Sequence, residues 1–121
     1  MSGPTIVCVP VQPNGQLDPR WGKAAQVAIA RVDGGVIASW QVITVGWDAL
    51  HDAGTEGGHH ARVARFLAEH NVGAVVANHM GPPMQHMLEQ MGLAVHLGAA
   101  GDARQATRLA LTSPAGSARP D

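Results

Sequence analysis

The segment GAVVANHMGPPMQHMLEQMGLAVHL, residues 73–97, decides the fold class. It opens and closes on short, continuous apolar runs at residues 73–77 and 93–97, which are typical of strands buried on both faces of a sheet. Between these runs, apolar side chains recur at the i, i+3, i+4, i+7 spacing of an amphipathic helix, namely Met84, Met87, Leu88 and Met91. A strand, a helix and a strand in this order predict two parallel strands joined by a right-handed crossover.

Upstream of this unit, the pattern predicts three antiparallel strands and a helix. Residues 5–11 (TIVCVPV) form a β-branched run that ends before a Pro-Asn-Gly turn. Residues 24–32 and 36–45 are two β-rich runs joined by an Asp-Gly-Gly sequence, a strong hairpin signal. After a polar, glycine-containing loop at residues 46–58, helical spacing of apolar residues predicts a helix over about residues 59–70.

Downstream, Asp102 is placed to cap a last helix that ends near Leu111. The predicted order of elements is therefore β-β-β-α-β-α-β-α, which gives an α/β fold with a mixed five-stranded sheet and helices on its faces. We expect a single domain over residues 1–111. Residues 112–121 are rich in Ser, Pro, Gly and Ala, and we expect a flexible C-terminal tail there.

Composition supports one folded domain and excludes several classes of protein. Apolar residues make up 45% of the 121 residues and charged residues only 14%, the opposite of a disordered chain. The net charge is −1 and no run of Lys or Arg occurs, which argues against nucleic-acid binding. No apolar stretch approaches the roughly 20 residues of a membrane helix. We expect no membrane association.

The single cysteine, Cys8, rules out an internal disulfide and alternates within a predicted strand, where we expect a small buried hydrophobe. No signal-peptide pattern is present at the N-terminus, so we expect a cytoplasmic protein. One thiol is also too few for an iron–sulfur cluster built on about four cysteines. Any metal cluster would therefore have to arrive largely assembled and be held by few protein ligands.

Distinctive residues fall where open α/β sheets bind ligands, outside the carboxyl ends of the parallel strands. His79 and Gly81 directly follow the strand at residues 73–77, and Gly58, His59 and His60 stand at the start of the first predicted helix. Neutral imidazoles bind metals, glycine-rich turns let backbone amides approach a ligand, and helix N-termini favour negative charge. Together these residues predict a pocket for an anionic, metal-bearing group.

The seven histidines also have structural explanations. Taken alone, His59 and His60 are more typical of polar residues at a solvated helix end, whereas His79 is harder to explain structurally because loop residues after buried strands are often functional. His51 is open to either interpretation. We expect surface exposure or ordinary structural contacts for the remaining three, which are His70, His86 and His96.

Several segments resemble the dinitrogenase iron–molybdenum cofactor biosynthesis family. The opening TIVCVPVQPNGQLDPRWGKA, residues 5–24, is similar to that family's IAVPV-type strand, NG-containing loop and His-Phe-Gly-Arg-Ala-like turn. Residues 57–59 resemble its His/Gly-rich helix start, and residues 77–82 (ANHMGP) its Gly-x-x-Gly-Pro segment after the fourth strand. Leu97-Gly98 before a final helix also fits. The resemblance covers residues 5–111.

The resemblance implies a ribonuclease-H-like three-layer fold and a function. Members of that family include nitrogenase accessory proteins that carry iron–molybdenum cofactor or its precursors, and the orange protein, which binds a molybdenum–copper sulfide cluster. This implies a small carrier of a preassembled anionic metal–sulfur cluster, with cluster donor and acceptor proteins as partners; a homodimer is possible. The metal ligands would be His59, His60 and His79, and the cluster would be cradled by Arg20, Gly58 and Gly81.

Two departures from the family pattern bear on the site. Arg20 stands where relatives frequently have histidine, which removes an imidazole and adds a cation. Asn78-His79 stands where many relatives have glycine, which adds an imidazole. The site is therefore expected to be retuned.

Two other classes of function are weighed against the carrier. A regulatory or protein-interaction domain of the same fold would bind no metal, and exposure of Trp40 and Trp47 would favour it. An enzyme is disfavoured, because a nuclease of this fold needs several strand carboxylates. The first strand has none, Asp33 falls in a hairpin turn, and beyond Asp48 or His51-Asp52 no nucleophile–base arrangement is visible.

Overall fold

A computed structural model describes residues 4–50 and 56–112. The elements in chain order are β1 (Thr5–Val11), β2 (Gln26–Asp33), β3 (Val36–Thr44), α1 (Trp47–Leu50), α2 (Glu56–Glu69), β4 (Ala74–Val76), α3 (Pro82–Gln90), β5 (Ala94–His96) and α4 (Ala103–Thr112).

The five strands form one mixed sheet in the order β3-β2-β1-β4-β5. The hairpin pairs β2 with β3 in the antiparallel sense, and β1 lies antiparallel to β2. On its other side β1 is parallel to β4, which is parallel to β5. The α/β class and the mixed five-stranded sheet are thus confirmed, with the βαβ unit where residues 73–97 predict it.

Helices cover both faces of the sheet, because successive side chains of a strand point to opposite faces. Cys8 packs in the core formed with α2 and α3, beside Val63 and Leu88. Its neighbours Val7 and Val9 pack in the other core, against α4. Each face of β1 is therefore sealed by its own apolar core, and the sheet is the middle of three layers.

Three features differ from the sequence-based expectation. The loop predicted at 46–58 contains the helix α1, because the Trp47 side chain is buried and packs edge-on against Trp21 with 5.4 Å between ring centroids. Helix α2 already begins at Glu56. Strand β5 is an edge strand, so Ala94 is exposed and Val95 only half-buried, although its apolar sequence predicts burial on both faces.

The last helix follows its prediction. The Asp102 carboxylate accepts a hydrogen bond from the Gln105 backbone N–H at 2.9 Å, which confirms the cap, and α4 ends at Thr112. The tail predicted for 112–121 lies outside the described residues from 113 onward. In the part of the chain that the structure describes, none of the helices has the length and apolar character needed to cross a membrane.

Cys8 is expected to be chemically inert in the folded protein. Its side chain is fully buried, and this desolvation raises the pKa of the thiol because the thiolate is the form that burial disfavours. A thiol reagent such as DTNB should react with native protein only at the rate of unfolding, and rapidly in denaturant. Fast native labelling at neutral pH would contradict this burial.

Candidate functional site

Three loops meet at the carboxyl edge of the parallel strands and are joined there through backbone atoms. The loop after β1 pairs with the loop after β4 through a parallel bridge between Arg20 and His79. The loop after β5 joins both, since Gly98 N donates to the Asn78 carbonyl at 3.0 Å and Leu17 N donates to the Gly101 carbonyl at 2.7 Å. The three loops therefore form one continuous rim.

A cavity of about 150 Å³ opens beside this rim, on the face of the sheet that carries α2 and α3. Its described lining combines two imidazoles, two thioethers, an indole and small residues: Trp21, Gly22, His59, His60, Met80, Gly81, Pro83 and Met84. None of these residues is acidic. Such a lining suits an anionic or soft guest better than a hard cation, which prefers oxygen ligands.

His59 lies in the cavity wall with both ring nitrogens engaged. Its Nε2 is 2.7 Å from the Gly22 carbonyl oxygen, which can only accept, so Nε2 carries the proton and donates. Its Nδ1 is 2.8 Å from Nη1 of Arg62, which can only donate, so Nδ1 accepts. His59 is therefore a neutral Nε2–H imidazole that ties α2 to the turn before β2. A metal could bind it only by replacing one of these bonds.

Of the other predicted site residues at the starts of α2 and α3, two line the cavity and one lies on the surface. His60 is half-buried and lines the cavity. Gly81 also lines it and forms the extended N-cap of α3. Pro82 and Pro83, which follow, have no N–H to offer a ligand. Gly58 lies exposed in the first turn of α2 and is not part of the described lining.

Arg20 and His79 are neighbours on the rim rather than in the cavity wall. His79 is exposed. The Arg20 guanidinium donates to both carboxylate oxygens of Asp18, each at 3.2 Å, and 60% of its side chain is exposed. Asp18 raises the pKa of Arg20, first through this hydrogen bond and then through its charge. The positive charge of Arg20 is thus paired, which weakens its attraction for an anion in the cavity.

The buried indole of Trp21 has an unsatisfied donor. Only 7% of Trp21 is exposed, and its Nε1–H has no hydrogen-bond partner among the described residues. Leaving a buried donor unpaired costs about 1–3 kcal/mol. The ring itself is well packed against Trp47. The packing therefore retains a polar group that none of the described residues pairs with.

No ready-made metal centre is present among residues 4–50 and 56–112. The described side chains contain no group of three or more His, Cys, Asp or Glu residues placed to hold a metal ion. His51, one of the open candidates, lies outside the described residues.

Sequence reasoning gave no site role to six residues of the described site, which are Trp21, Gly22, Arg62, Met80, Pro83 and Met84. Arg62 lies one helical turn after His59 on α2, and the i, i+3 spacing is the sequence signal that indicates their contact. Met84 was interpreted as core, and it is both core and cavity wall. The residues next to Met80 and Gly22 in the sequence do not indicate that these two line a cavity with His59 and His60, because the loops of the rim bring them together from distant parts of the chain.

A sequence profile of the family described as dinitrogenase iron–molybdenum cofactor matches residues 4–112. The chain belongs to that family. Because the match spans the whole described fold, the rim and cavity are parts of the family domain. None of the curated proteins matches the chain.

Solved structures show the same fold. The apo form of the orange protein from Desulfovibrio gigas is 21% identical, with a TM-score of 0.73 and coverage of 97% of each chain. The protein PH0822 is 14% identical, with a TM-score of 0.69 and coverage of 88% of this chain and 89% of that one. A NifB-like protein from Thermotoga is 18% identical, with a TM-score of 0.63 and coverage of 85% and 84%. At these identities the likeness shows the fold alone.

His59→Ala should destabilise the folded protein by about 2 kcal/mol or more, because it leaves the buried Gly22 carbonyl without its donor. His86→Ala is the matched control: it removes an exposed imidazole from α3 and should change the free energy of unfolding by less than about 0.5 kcal/mol. Urea denaturation measures both. Equal stabilities would show that His59 does not hold the turn.

Proposed function

We propose that this domain is a small carrier or accessory protein for a preassembled, anionic metal–sulfur cluster, of the iron–molybdenum precursor or molybdenum-containing type. The observation that carries the proposal is the cavity at the rim, whose described lining offers imidazole, thioether and N–H groups and no carboxylate. Family membership supports the same class of cargo. The domain would receive the cluster from a donor protein and pass it to an acceptor.

The proposed roles follow from the positions of the residues. His60, in the cavity wall, and His79, on the rim, are the proposed metal ligands. The sequence also predicts His59 as a ligand, and it would bind a metal only after losing its hydrogen bond to Gly22 or to Arg62. Two labile ligands suit a carrier, because cargo held by few bonds can be released.

The cradle is proposed to be shared between backbone and side chains. Gly81 lets the chain approach the guest from the cavity wall, and Gly58 lies in the first turn of α2. Arg20 adds a partly neutralised cation at the rim. A weak electrostatic contribution of this kind favours an anion without trapping it.

Several broader expectations belong to this proposal. They are the ribonuclease-H-like classification of the three-layer fold, a single domain over 1–111, a cytoplasmic location, and a role as a carrier that catalyses no reaction. A homodimer is compatible with them, since the edge strand β3 has one unpaired side within the described sheet.

A metal-free regulatory or interaction domain is the second candidate. Trp47 gives it no support, because its indole is buried. Trp40 supports this second candidate, because its half-buried ring lies on the opposite face of the sheet and borders a cavity of about 360 Å³. The Arg104 guanidinium lies 5.0 Å from the centroid of this ring. Partners of such a domain would dock on that face rather than at the histidines.

The carrier is tested by anaerobic purification from cells supplied with iron, molybdenum and copper, followed by metal analysis and a visible spectrum. We compare wild type with His60→Ala/His79→Ala, which spares His59. The wild type should be coloured with stoichiometric metal, and the double variant should retain at least about tenfold less, because both proposed ligands are gone.

The matched control, His86→Ala/His96→Ala, also removes two imidazoles, neither of which lines the cavity. It should retain the metal of the wild type, and circular dichroism should show that all three proteins are folded. A colourless wild type that also fails to take up supplied cluster would replace the carrier with the interaction domain. Equal metal loss in the control would remove His60 and His79 as specific ligands.

A further inference from the structure

The unpaired indole of Trp21 is the starting point. The Trp21 side chain is more than nine-tenths buried, lines the cavity, and keeps its Nε1–H without an acceptor among the described residues. An indole N–H can donate and cannot accept. Buried polar groups are nearly always paired, so an exception calls for an explanation such as an absent ligand.

No acceptor in the described wall around Trp21, the His60 imidazole included, lies within hydrogen-bond reach of the indole Nε1. The Gly22 carbonyl already accepts from His59 Nε2 at 2.7 Å. Met80 and Met84 offer thioether sulfurs, which are weak acceptors. None of the described lining residues is a carboxylate. A guest that carries an acceptor atom would satisfy the indole.

We infer that Trp21 Nε1–H donates a hydrogen bond to a terminal sulfide or oxo atom of the guest, and that this bond selects chalcogenide-bearing anions over bare metal cations. The inference rests on the proposed function, because it assumes that the cavity is where the guest binds. A bare cation carries no acceptor and would leave the indole unsatisfied. A thio- or oxometallate anion satisfies it with a charge-assisted bond, the stronger kind.

The side chains that line the cavity with Trp21 differ in how readily they adapt to a guest. Met80 and Met84 are unbranched and adapt their shape more readily than β-branched residues. The other wall, formed by His59 and Gly22, is fixed by their hydrogen bond. The cavity thus has one adaptable side and one rigid side, and Trp21 is part of the same lining.

The test uses the full chain, with tetrathiomolybdate and molybdate as probes for terminal sulfide and terminal oxo groups. Affinities of wild type, Trp21→Phe and Trp40→Phe are measured by isothermal titration calorimetry. Trp21→Phe keeps an aromatic ring and removes only the donor and part of the ring area. It should weaken binding of the preferred anion about tenfold or more, as expected for a hydrogen bond to a charged group. Trp40→Phe, on the opposite face, should bind like wild type.

A second measurement follows binding in the wild type itself and uses Trp21→Phe only to assign one cross-peak. In ¹⁵N NMR spectra of the wild type, the Trp21 indole cross-peak is the one absent from the Trp21→Phe spectrum. It should shift downfield as the preferred anion is added, while the Trp40 indole cross-peak stays in place. Whichever anion binds more tightly identifies the terminal atom as sulfide or oxo.

The outcomes separate this inference from the carrier itself. Equal affinity of wild type and Trp21→Phe, with an unmoved Trp21 cross-peak, would overturn the inference and leave the carrier standing. A wild type that binds neither anion, yet carries metal when purified from cells, would also overturn the inference and leave the carrier standing. Wild type that binds neither anion and carries no metal would overturn both.

Discussion

The central strand β1 forms an antiparallel hydrogen-bond ladder on one side and a parallel ladder on the other. The rest of the fold depends on these two pairings. Strand β1 pairs antiparallel with β2 along its whole length and parallel with β4 at Val7 and Cys8. Both of its faces are covered, so a charged side chain would have no solvated place in its centre. The parallel pairing also brings the end of β1 beside the end of β4, and only for that reason does Arg20 meet His79.

The site built on this edge uses its polar groups in two different ways. His59 has a structural role: its hydrogen bond to Gly22 links α2 to the turn before β2, and Arg62, one turn along the same helix, holds its other ring nitrogen. Trp21 differs, since its ring is packed against Trp47 while its N–H has no partner in the part of the chain that the structure describes. A rigid wall beside a donor that needs a partner is preorganised for binding. The conformational entropy of ordering these side chains is lost when the protein folds and need not be lost again when a guest binds.

The sequence predicts the sheet well because its signals are local. Each signal is formed by residues close together in the chain: the β-branched runs of the strands, the Asp-Gly-Gly turn of the hairpin, and the helical spacing of apolar residues from Met84 to Met91. The site is harder to predict because its contacts are distant along the chain. His59 and Gly22 are 37 residues apart, and nothing near either one indicates their bond. Helix α1 was missed for the same reason, since it depends on burial of Trp47 against Trp21. A three-residue apolar strand also looks alike at the centre and at the edge of a sheet, which is why the exposure of β5 was not foreseen.

The rim is held together by main-chain atoms: a bridge between two loops and the amide bonds of Gly98 and Leu17. Main-chain bonds survive most substitutions, so the outline of the opening does not depend on which side chains stand around it. Exposed positions such as His79 can therefore be exchanged for other residue types while the frame is preserved. Such a frame is evolvable, and it offers protein engineers a scaffold in which the lining can be redesigned for a different guest without rebuilding the loops.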